Sequence, residues 1–468
     1  MSALLRIDYL LVLHVVLALA TAMHALLNKA EPRSALAWIT VCWLFPIGGA
    51  VLYFWFGVNR IQRRARRELG AAPKRVVDAP DAVPDVPGRK LDVRELLRLG
   101  RSMAGRPLVA GNRVTPLYNG EQAYPEMLTA IASARERIFL ESYIFEADSV
   151  GAQFVEALAD ARKRGVQVRV LVDGIGGLGW RRSGWQRLRQ HGIPVRTFLP
   201  LRWWPPMLHV NLRDHRKLLT VDGAVAFAGG MNISDVHYAT RGGDAMPDLH
   251  YRFEGPIVQQ FEQVFAEGWR FMAHESLKPS APTPPEGGAL CRVVIDGPND
   301  DVDRLQLLLL GVIGSAHERI SIMTPYFIPT AELVGALQAA ALRGVEVEIV
   351  LPERSDQWWV DGATRRWLPQ LLGKRLRVYY RPAAAHSKLL LMDDYYALVG
   401  SANLDSRSLR LNFELMVEVY DPDLVRSQRA HFDEVRDASR EVTAAMLKRL
   451  PLYWKLRDAV LWLFSPYL

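Results

Sequence analysis

The feature that most constrains this chain is a motif that occurs twice. Residues 215–232 read HRKLLTVDGAVAFAGGMN and residues 386–403 read HSKLLLMDDYYALVGSAN. Both stretches carry a histidine, a lysine, an aspartate, a glycine and an asparagine, and the spacing between these residues is identical in the two copies. Chance agreement at five positions is not expected, so the chain contains a duplicated unit.

The duplication extends well beyond this motif. SARERI at 133–138 matches SAHERI at 315–320, and RGVQVRVLVD at 164–173 matches RGVEVEIVLP at 343–352. The stretch between the second of these matches and the motif is longer in the first copy, 174–214, than in the second, 353–385. The first half therefore has a longer loop before its histidine.

Each half alternates helix and strand patterns. Residues 150–165 have amphipathic helical spacing and end at a glycine, and residues 166–173 are strand-like; the second half repeats this at 330–344 and 345–351. Strand-like residues precede the helix in both halves. Strand, helix and strand in succession predict parallel pairing, so we expect an α/β fold built from two duplicated halves.

The first sixty residues are typical of a membrane protein. Residues 9–27 and 35–57 contain no charged residue and are separated by the polar turn NKAEPRS, which predicts a hairpin of two transmembrane helices. A cleaved signal peptide is the alternative for the first stretch. Residues 59–68, NRIQRRARRE, hold five arginines, so the positive-inside rule places the following chain in the cytoplasm.

We expect the following segments. Residues 1–60 form the hairpin, 61–105 a basic segment and proline-rich linker, 106–277 the first half, 278–288 a linker, and 289–468 the second half with an amphipathic C-terminal segment. The two cysteines are isolated in apolar stretches, so no disulfide framework is expected. The net charge of +8 favours an acidic partner, either nucleic acid or anionic lipid.

The doubled motif has the residues needed to handle a phosphodiester. The stretches after each His-x-Lys are apolar and strand-like, so His215 and Lys217 share one face of a strand, as do His386 and Lys388. Joining the halves would make a pocket with two histidines and two lysines. Lysines stabilise the charge of the transition state without a metal, while one imidazole attacks phosphorus and the other donates a proton.

Two further residues of the motif have two open roles. Asp222 and Asp393 could orient the site directly, or they could anchor the turn at the end of the strand. No H-x-H or H-x3-H pair accompanies carboxylates, so neither a metal nor another cofactor is expected.

The paired H-x-K-x4-D-x6-G-[GS]-x-N blocks resemble the HKD signature of the phospholipase D superfamily. Over nearly its whole length the chain is similar to bacterial cardiolipin synthases, notably in PIGGAVLYFWFG, ESYIF, HYRFEGP, TPYFIP and GSANLDSRSLRLNFEL. One variation is Gly230, which stands where the second copy has Ser401. The resemblance implies two α/β/α-sandwich halves that share one active site, preceded by the two-helix hairpin.

The resemblance also implies a reaction, the transfer of a phosphatidyl group from one phosphatidylglycerol to another through a phosphohistidine, which gives cardiolipin and glycerol. His215 would be the nucleophile, and His386 would protonate the glycerol and then activate the second lipid. The implied catalytic residues are His215, Lys217, Asp222, His386, Lys388 and Asp393, and the implied phosphate-binding residues are Asn232, Asn403, Ser401 and Glu414.

The implied partners are phosphatidylglycerol and anionic membrane lipid, and the implied location is the bacterial inner membrane, as a multi-pass protein with a cytoplasmic catalytic domain. No nucleic acid is expected, and the oligomeric state stays open. A phospholipase D-type hydrolase or a phosphatidyltransferase with another acceptor is the main alternative; a tethered nuclease and a lipid-binding scaffold are the others. Trp203, Trp204, Trp358 and Trp359 precede the two motifs, where they line a lipid path or pack as ordinary aromatics.

Overall fold

The duplicated strands assemble into one 15-stranded sheet in the computed structural model. The structure describes residues 2–29, 32–45, 47–57, 90–176, 184–200, 213–242, 245–297 and 303–465. The predicted basic run at 59–68 and most of the linker before residue 90 lie outside these residues.

The first half contributes seven strands, and their order in the sheet is β1-β7-β6-β5-β2-β3-β4. They are β1 (Val109–Tyr118), β2 (Arg137–Ser142), β3 (Gln167–Asp173), β4 (Val195–Phe198), β5 (Leu218–Val221), β6 (Val225–Gly229) and β7 (Leu249–Glu254). The amphipathic helix α6 (Ser149–Lys163) crosses from β2 to β3, and these two strands pair in parallel. The predicted strand-helix-strand unit is therefore confirmed.

The second half repeats this order as β8-β16-β14-β13-β9-β11-β12, followed by the short edge strand β17 (Arg440–Glu441). Its strands are β8 (Ala289–Asp296), β9 (Arg319–Met323), β11 (Glu346–Pro352), β12 (Leu376–Arg381), β13 (Leu389–Met392), β14 (Tyr396–Gly400) and β16 (Glu414–Tyr420). A separate pair is formed by β10 (Phe327–Ile328) and β15 (Leu404–Asp405). The two halves join where β1 pairs antiparallel with β8, so the sequence repeat is also a repeat of topology.

Helices cover both faces of the sheet. In the first half they are α5 (Asn119–Ser133), α6, α7 (Trp185–Gln190) and α8 (Val258–Ala273); in the second half α9 (Arg304–Ser315), α10 (Ala331–Leu342), α11 (Trp358–Leu371), α12 (Ser406–Arg410), α13 (Pro422–Asp437), α14 (Ala444–Lys448) and α15 (Leu452–Leu463). The central helices α8 and α13 share one apolar core with strands of both halves, whereas the outer helices of each half enclose a core of their own. The result is a mixed α/β fold with duplicated halves.

The predicted linker at 61–105 contains a helix, α4 (Lys90–Ala104), at its end. Its apolar residues Val93, Leu96 and Leu97 are buried in the core of the second half. The helix therefore packs on the second half, although it precedes the first half in the chain. The predicted linker at 278–288, by contrast, contains no helix or strand.

The first membrane segment is a helix, α1 (Ser2–Asn28), and its Tyr9–Asn28 part, 20 residues with a mean hydropathy of 2.3, is long and apolar enough to cross a membrane. Among the described residues it is the one helix that meets this length. Most of its large apolar side chains are exposed, which is consistent with membrane association.

The second predicted span, 35–57, is not one straight helix. Helix α2 (Pro32–Leu44) ends before Pro46, a residue without an N–H for the helical ladder, and Ile47 has a left-handed φ of 58°. Helix α3 (Gly48–Leu52) and a π-helical turn (Tyr53–Gly57) then return along α2.

Two contacts demonstrate this return. The Tyr53 ring lies 5.4 Å from the Trp38 ring, and its hydroxyl is 2.7 Å from His24 Nδ1 of α1. A Cβ on Gly49 would lie 2.4 Å from the Val41 carbonyl oxygen, so the chain can reverse this closely only with glycine at that position. The expectation of a second continuous span is therefore wrong for this segment.

Candidate active site

The two motif histidines lie at the starts of equivalent strands. His215 precedes β5 and His386 precedes β13, and both strands are buried throughout. The apolar residues that follow each His-x-Lys fix the strands in the core, and the i, i+2 spacing carries each lysine to the same face as its histidine. Both histidines and both lysines are buried.

Each histidine is paired with a carboxylate from the other half. His215 Nδ1 lies 3.0 Å from Glu414 Oε2, where β16 begins, and His386 Nδ1 lies 2.8 Å from Asp248 Oδ2, one residue before β7. Because β7 and β16 are equivalent strands, the two pairs are related by the internal duplication. Neither half holds a complete histidine-carboxylate pair, so the halves share one site.

Backbone hydrogen bonds also connect each histidine to the opposite half. The His215 N–H donates to the Phe413 carbonyl, and the His386 N–H donates to the Pro247 carbonyl, both at 2.9 Å. The residues before the two carboxylates are thus bonded directly to the histidines of the opposite half. Side-chain and main-chain contacts together set the position of each imidazole.

Burial and charge determine the protonation of the first pair. Desolvation lowers the pKa of His215 to about 4, although Glu414 acts in the opposite direction. Desolvation raises the pKa of Glu414, but His215, Lys217 and Ser401 outweigh it, so the pKa is lowered and the carboxyl is ionised near neutrality. His215 therefore donates its Nδ1–H to a carboxylate and keeps the Nε2 lone pair available.

The second pair has a different balance. Desolvation, followed by the charge of Lys388, holds the pKa of His386 well below its usual value. Desolvation also raises the pKa of Asp248, whereas the pKa of Glu414 is lowered. The carboxylate partners of the two histidines therefore have pKa values that are shifted in opposite directions.

The two lysines lie beside the histidines with depressed pKa values. Lys217 Nζ donates to the His215 carbonyl at 2.6 Å, and Lys388 Nζ lies 2.8 Å from His386 Nδ1 and also bonds the His386 carbonyl. Desolvation lowers the pKa of Lys217 to about 7 and that of Lys388 to about 8. An anion that enters between them stabilises their charged forms.

The motif asparagines follow β6 and β14, the strands that pair with β5 and β13. Asn232 Oδ1 accepts from the Ile144 N–H at 3.3 Å, while Asn403 Oδ1 is buried without a hydrogen-bond partner among the described residues. A buried amide oxygen without a partner carries a desolvation cost, which is common where a ligand or water completes the site.

Ser401 and Glu414 do not have the geometry expected of phosphate ligands. Ser401 Oγ donates to Glu414 Oε2 at 2.6 Å, and Asn412 Nδ2 donates to Glu414 Oε1 at 3.3 Å. Both oxygens of the Glu414 carboxylate therefore accept hydrogen bonds from neighbouring side chains, which hold the carboxylate in place opposite His215. A buried carboxylate also repels phosphate, so the geometry places these residues behind the histidine.

The difference between Gly230 and Ser401 has a steric cause. A Cβ on Gly230 would lie 2.5 Å from both carboxylate oxygens of Asp248. The first half thus needs glycine where the second half uses serine, because Asp248 occupies the space.

The motif aspartates lie at the far ends of the strands. Asp222 accepts hydrogen bonds from the N–H groups of residues 135–137, each at 2.8 Å, and Asp393 accepts from those of residues 317–319. The extended chain between each aspartate and its histidine spans roughly 20 Å. This position favours the second of their two expected roles, an anchor for the strand turn.

One group in the described part of the chain has metal-ligand spacing, namely His237, Asp248 and His386. Some of its atoms already have hydrogen-bond partners: His237 Nε2 accepts from the Asn232 N–H at 3.2 Å, and Asp248 accepts from the Leu249 N–H and faces His386 Nδ1. His237 Nδ1 lies 3.0 Å from the Met246 carbonyl, which fixes its tautomer. The group therefore forms a hydrogen-bonded support for His386.

Sequence reasoning missed Asp248. The segment DLHYRFE begins β7 as ELMVEVY begins β16, but the stretch from Gly229 to Asp248 is longer than the equivalent stretch from Gly400 to Glu414. The extra length hid the equivalence. Tyr143 of the ESYIF segment was also missed; its ring lies 5.2 Å from the His215 ring and 5.3 Å from Lys217 Nζ.

The tryptophans expected near the site are only partly described. Trp203 and Trp204 lie outside the described residues. Trp358 and Trp359 begin α11 and are exposed, so they are not core residues.

Comparison with known proteins points to one family. Residues 127–269 and 309–436 match the family described as "Cardiolipin synthase, PLD-like domain", and residues 16–57 match "Phospholipase_D-nuclease N-terminal". The chain is 34% identical over 470 residues to cardiolipin synthase A of Pseudomonas aeruginosa, covering 97% of this chain and 94% of that protein. It is 30% identical over 465 residues to "Probable cardiolipin synthase YwiE" of Bacillus subtilis strain 168, covering 97% and 93%.

A solved structure supports the fold. The chain superposes on phosphatidylserine synthase of Haemophilus influenzae Rd KW20 with a TM-score of 0.61 at 14% identity, covering 80% of this chain and all of the other. Two matched halves, full-length relatives and a site shared between the halves lead to one assignment. The chain is an enzyme that belongs to the cardiolipin synthases of the phospholipase D superfamily.

Proposed function

We propose that this cardiolipin synthase transfers a phosphatidyl group from one phosphatidylglycerol to a second, releasing glycerol, through a phosphohistidine at His215. The observation that carries the proposal is the exchange of partners, in which each half supplies the histidine of one pair and the carboxylate of the other. Such a site has two imidazoles with separate supports, as a two-step transfer requires.

In the first step, His215 Nε2 attacks the phosphorus of the donor lipid. The bond from phosphorus to the glycerol oxygen breaks as the N–P bond forms. His386, whose cationic form the bound phosphodiester anion stabilises, gives its Nε2 proton to that oxygen. The ionised Glu414 supports this assignment because it stabilises the positive charge that His215 gains. Lys388 beside His386 disfavours its cationic form, which makes the imidazolium a stronger acid.

In the second step, the free hydroxyl of another phosphatidylglycerol attacks the phosphohistidine. His386 Nε2 takes the hydroxyl proton, the N–P bond breaks, and His215 leaves as a neutral imidazole. The products are cardiolipin and an enzyme ready for the next donor, with His386 again protonated. No group outside the chain and its two lipids is needed to balance either step.

The lysines and asparagines hold the phosphate. Lys217 and Lys388 flank the imidazoles, and their pKa values of about 7 and about 8 rise when an anion binds between them. Asn403, with its amide buried beside Ser401, and Asn232 complete the oxygen-binding side. Asp222 and Asp393 act through the strand turns and do not touch the substrate.

The test combines product analysis with trapping. Purified enzyme and radiolabelled phosphatidylglycerol in EDTA should give cardiolipin and glycerol; phosphatidic acid would indicate hydrolysis, and no turnover would indicate a scaffold. A lipid with a nitrophenol leaving group needs no acid catalyst, so His386→Ala should accumulate a base-stable, acid-labile phosphatidyl-enzyme. Its absence in His386→Ala, or its presence in His215→Ala, would contradict the assignment of the nucleophile.

We infer that the enzyme resides in the bacterial inner membrane with its catalytic halves, residues 106–277 and 289–468, in the cytoplasm. The arginine run at 59–68 supports this side. Helix α1 has the length to cross the bilayer, and the fold-back of Tyr53 onto Trp38 favours one crossing rather than a two-helix hairpin.

The two arrangements place the N-terminus on opposite sides. A single crossing puts it in the periplasm, whereas the hairpin puts both ends in the cytoplasm. Thiol labelling of Ser2→Cys in intact spheroplasts by an impermeant reagent would support the single crossing. Labelling only after lysis would support the hairpin.

A further inference from the structure

We propose that α15 and the first turn of α11 form a second membrane contact, which seats the catalytic halves on the surface of an anionic bilayer. The contact is separate from α1. It rests on the proposed function and extends it by bringing the site to its lipids.

Helix α15 presents two different faces. One face packs on α11: Asp458 is buried and bonds Arg365 at 2.7 Å, and Trp462 lies 6.2 Å from Trp367. A Cβ on Gly362 would lie 2.4 Å from Leu461, so the two helices are in close contact. The helix is thus held on the domain by a defined interface.

The opposite face carries large apolar side chains in solvent. Leu452 is 71% exposed, Leu456 59% and Leu463 67%, and Tyr453, Val460 and Phe464 are also exposed. At about 100° per residue these six positions form one stripe about 120° wide. Because the opposite face of the helix is already packed on α11, an exposed apolar stripe of this width marks a contact surface.

The charges around the stripe select a bilayer as its occupant. Between residues 447 and 465 the basic residues are Lys448, Arg449, Lys455 and Arg457, and the one acidic residue, Asp458, is buried against α11. An apolar face with basic flanks suits the headgroup region of anionic lipid, whereas a second copy would bring like charges together. The family's substrates are lipids, and α1 is itself apolar enough for a membrane.

The neighbouring tryptophans extend the surface toward the site. Arg365 meets Asp458 and Gly362 meets Leu461, so the two helices run antiparallel and the first turn of α11 approaches the C-terminal end of α15. Trp358 is exposed there, after the carboxyl end of β11, the end of the sheet at which His386 lies. Tryptophan prefers the bilayer interface, so this end would contact lipid next to the active site.

The experiment measures depth in reconstituted full-length enzyme. Leu456→Cys carries a polarity-sensitive fluorophore, and Leu342→Cys, an 89% exposed leucine at the end of α10, is the matched control; native Cys42 and Cys291 are buried. In phosphatidylglycerol-containing vesicles we expect a blue shift and quenching by headgroup-level nitroxide lipids at position 456 only, as for a label about 5–10 Å into the interface.

Charge reversal tests the choice of anionic lipid. Lys448→Glu/Arg449→Glu should reduce the quenching at 456, and Lys374→Glu/Arg375→Glu, an exposed basic pair before β12, should not. Equal water exposure at 456 and 342 would overturn the proposal, as would a shift that grows with protein density and persists in detergent. Because the readout needs no turnover, it can be repeated in His215→Ala and stands apart from the reaction mechanism.

Discussion

Replacing Glu414 by glutamine removes one buried charge and keeps the shape of the side chain. The carboxylate accepts from His215 Nδ1 at 3.0 Å and from Ser401 Oγ at 2.6 Å. In the proposed first step, His215 gains positive charge as the N–P bond forms, and a neutral amide cannot offset this charge. We therefore expect the chemical step to suffer far more than the binding of substrate.

The magnitude follows from the separation of the charges. Two unit charges about 4 Å apart interact by about 4 kcal/mol at an effective dielectric constant of about 20. Because about 1.36 kcal/mol is a factor of ten in rate, kcat should fall by about 10³-fold. KM should change little, since burial lowers the pKa of His215 to about 4 and the imidazole is neutral in the ground state near neutral pH.

The assay is the initial rate of cardiolipin formation from phosphatidylglycerol, with thermal unfolding as a check on folding. Ser401→Ala is the matched control, because it leaves the charge of Glu414 in place and removes one hydrogen bond to the same carboxylate oxygen, worth about 1.5 kcal/mol, or roughly a tenfold rate loss. A Glu414→Gln enzyme with kcat within about tenfold of the parent, or with its loss confined to KM, would refute the role given to the charge.

Three further predictions address other parts of the site. Asp248→Asn should slow cardiolipin synthesis by about 10²-fold, which is the usual contribution of a positioned acid. The same change should spare a donor lipid with a nitrophenol leaving group, because Asp248 supports the proposed acid His386. Equal losses with both donors would contradict this. Lys217 and Lys388, with pKa values of about 7 and about 8, lose their charge as the pH rises. We therefore expect kcat/KM to decline above about pH 8 through a rise in KM. A KM that stays constant up to about pH 10 would exclude phosphate binding by the ammonium groups of these lysines. Asp222→Ala should lower the free energy of unfolding by about 1–3 kcal/mol by leaving three backbone N–H groups without their acceptor, with kcat per folded enzyme unchanged; intact stability with lost kcat would return Asp222 to the chemistry.

Much of the architecture was predictable because it depends on patterns among residues that are close in sequence. The strand-helix-strand units follow from periodicity within short stretches of chain, and the structure repeats the same strand order in both halves. His215 and His386 were predictable for the same reason, since spacing along one strand determines which side chains share a face.

The support of each histidine was not predictable in this way. Glu414 lies 199 residues from His215, and Asp248 lies 138 residues from His386. No pattern along the chain reports such pairs, and the longer stretch before Asp248 concealed its match with Glu414. Sequence reasoning therefore grouped Glu414 with the phosphate ligands, although its oxygens face His215, Ser401 and Asn412.

The membrane segment shows a similar limit. Hydropathy averages over a window, so residues 35–57 resembled a continuous span, whereas the break at Leu44 and the close approach of Gly49 to Val41 depend on two local backbone features. Likewise, from the sequence alone the amphipathic C-terminal segment could either pack on the domain or lie on lipid. Its helix packs on α11 with one face and leaves the other face exposed.

The order of residues thus predicted the candidate chemistry, two histidines and two lysines, together with a duplicated α/β fold. Tertiary structure determines what each half contributes to the site, because the protonation of each imidazole depends on the carboxylate that the opposite half places at its Nδ1. Identical motifs become an asymmetric site since Glu414 stays ionised while burial raises the pKa of Asp248. That difference arises from desolvation and neighbouring charge, which exist only once the halves have met.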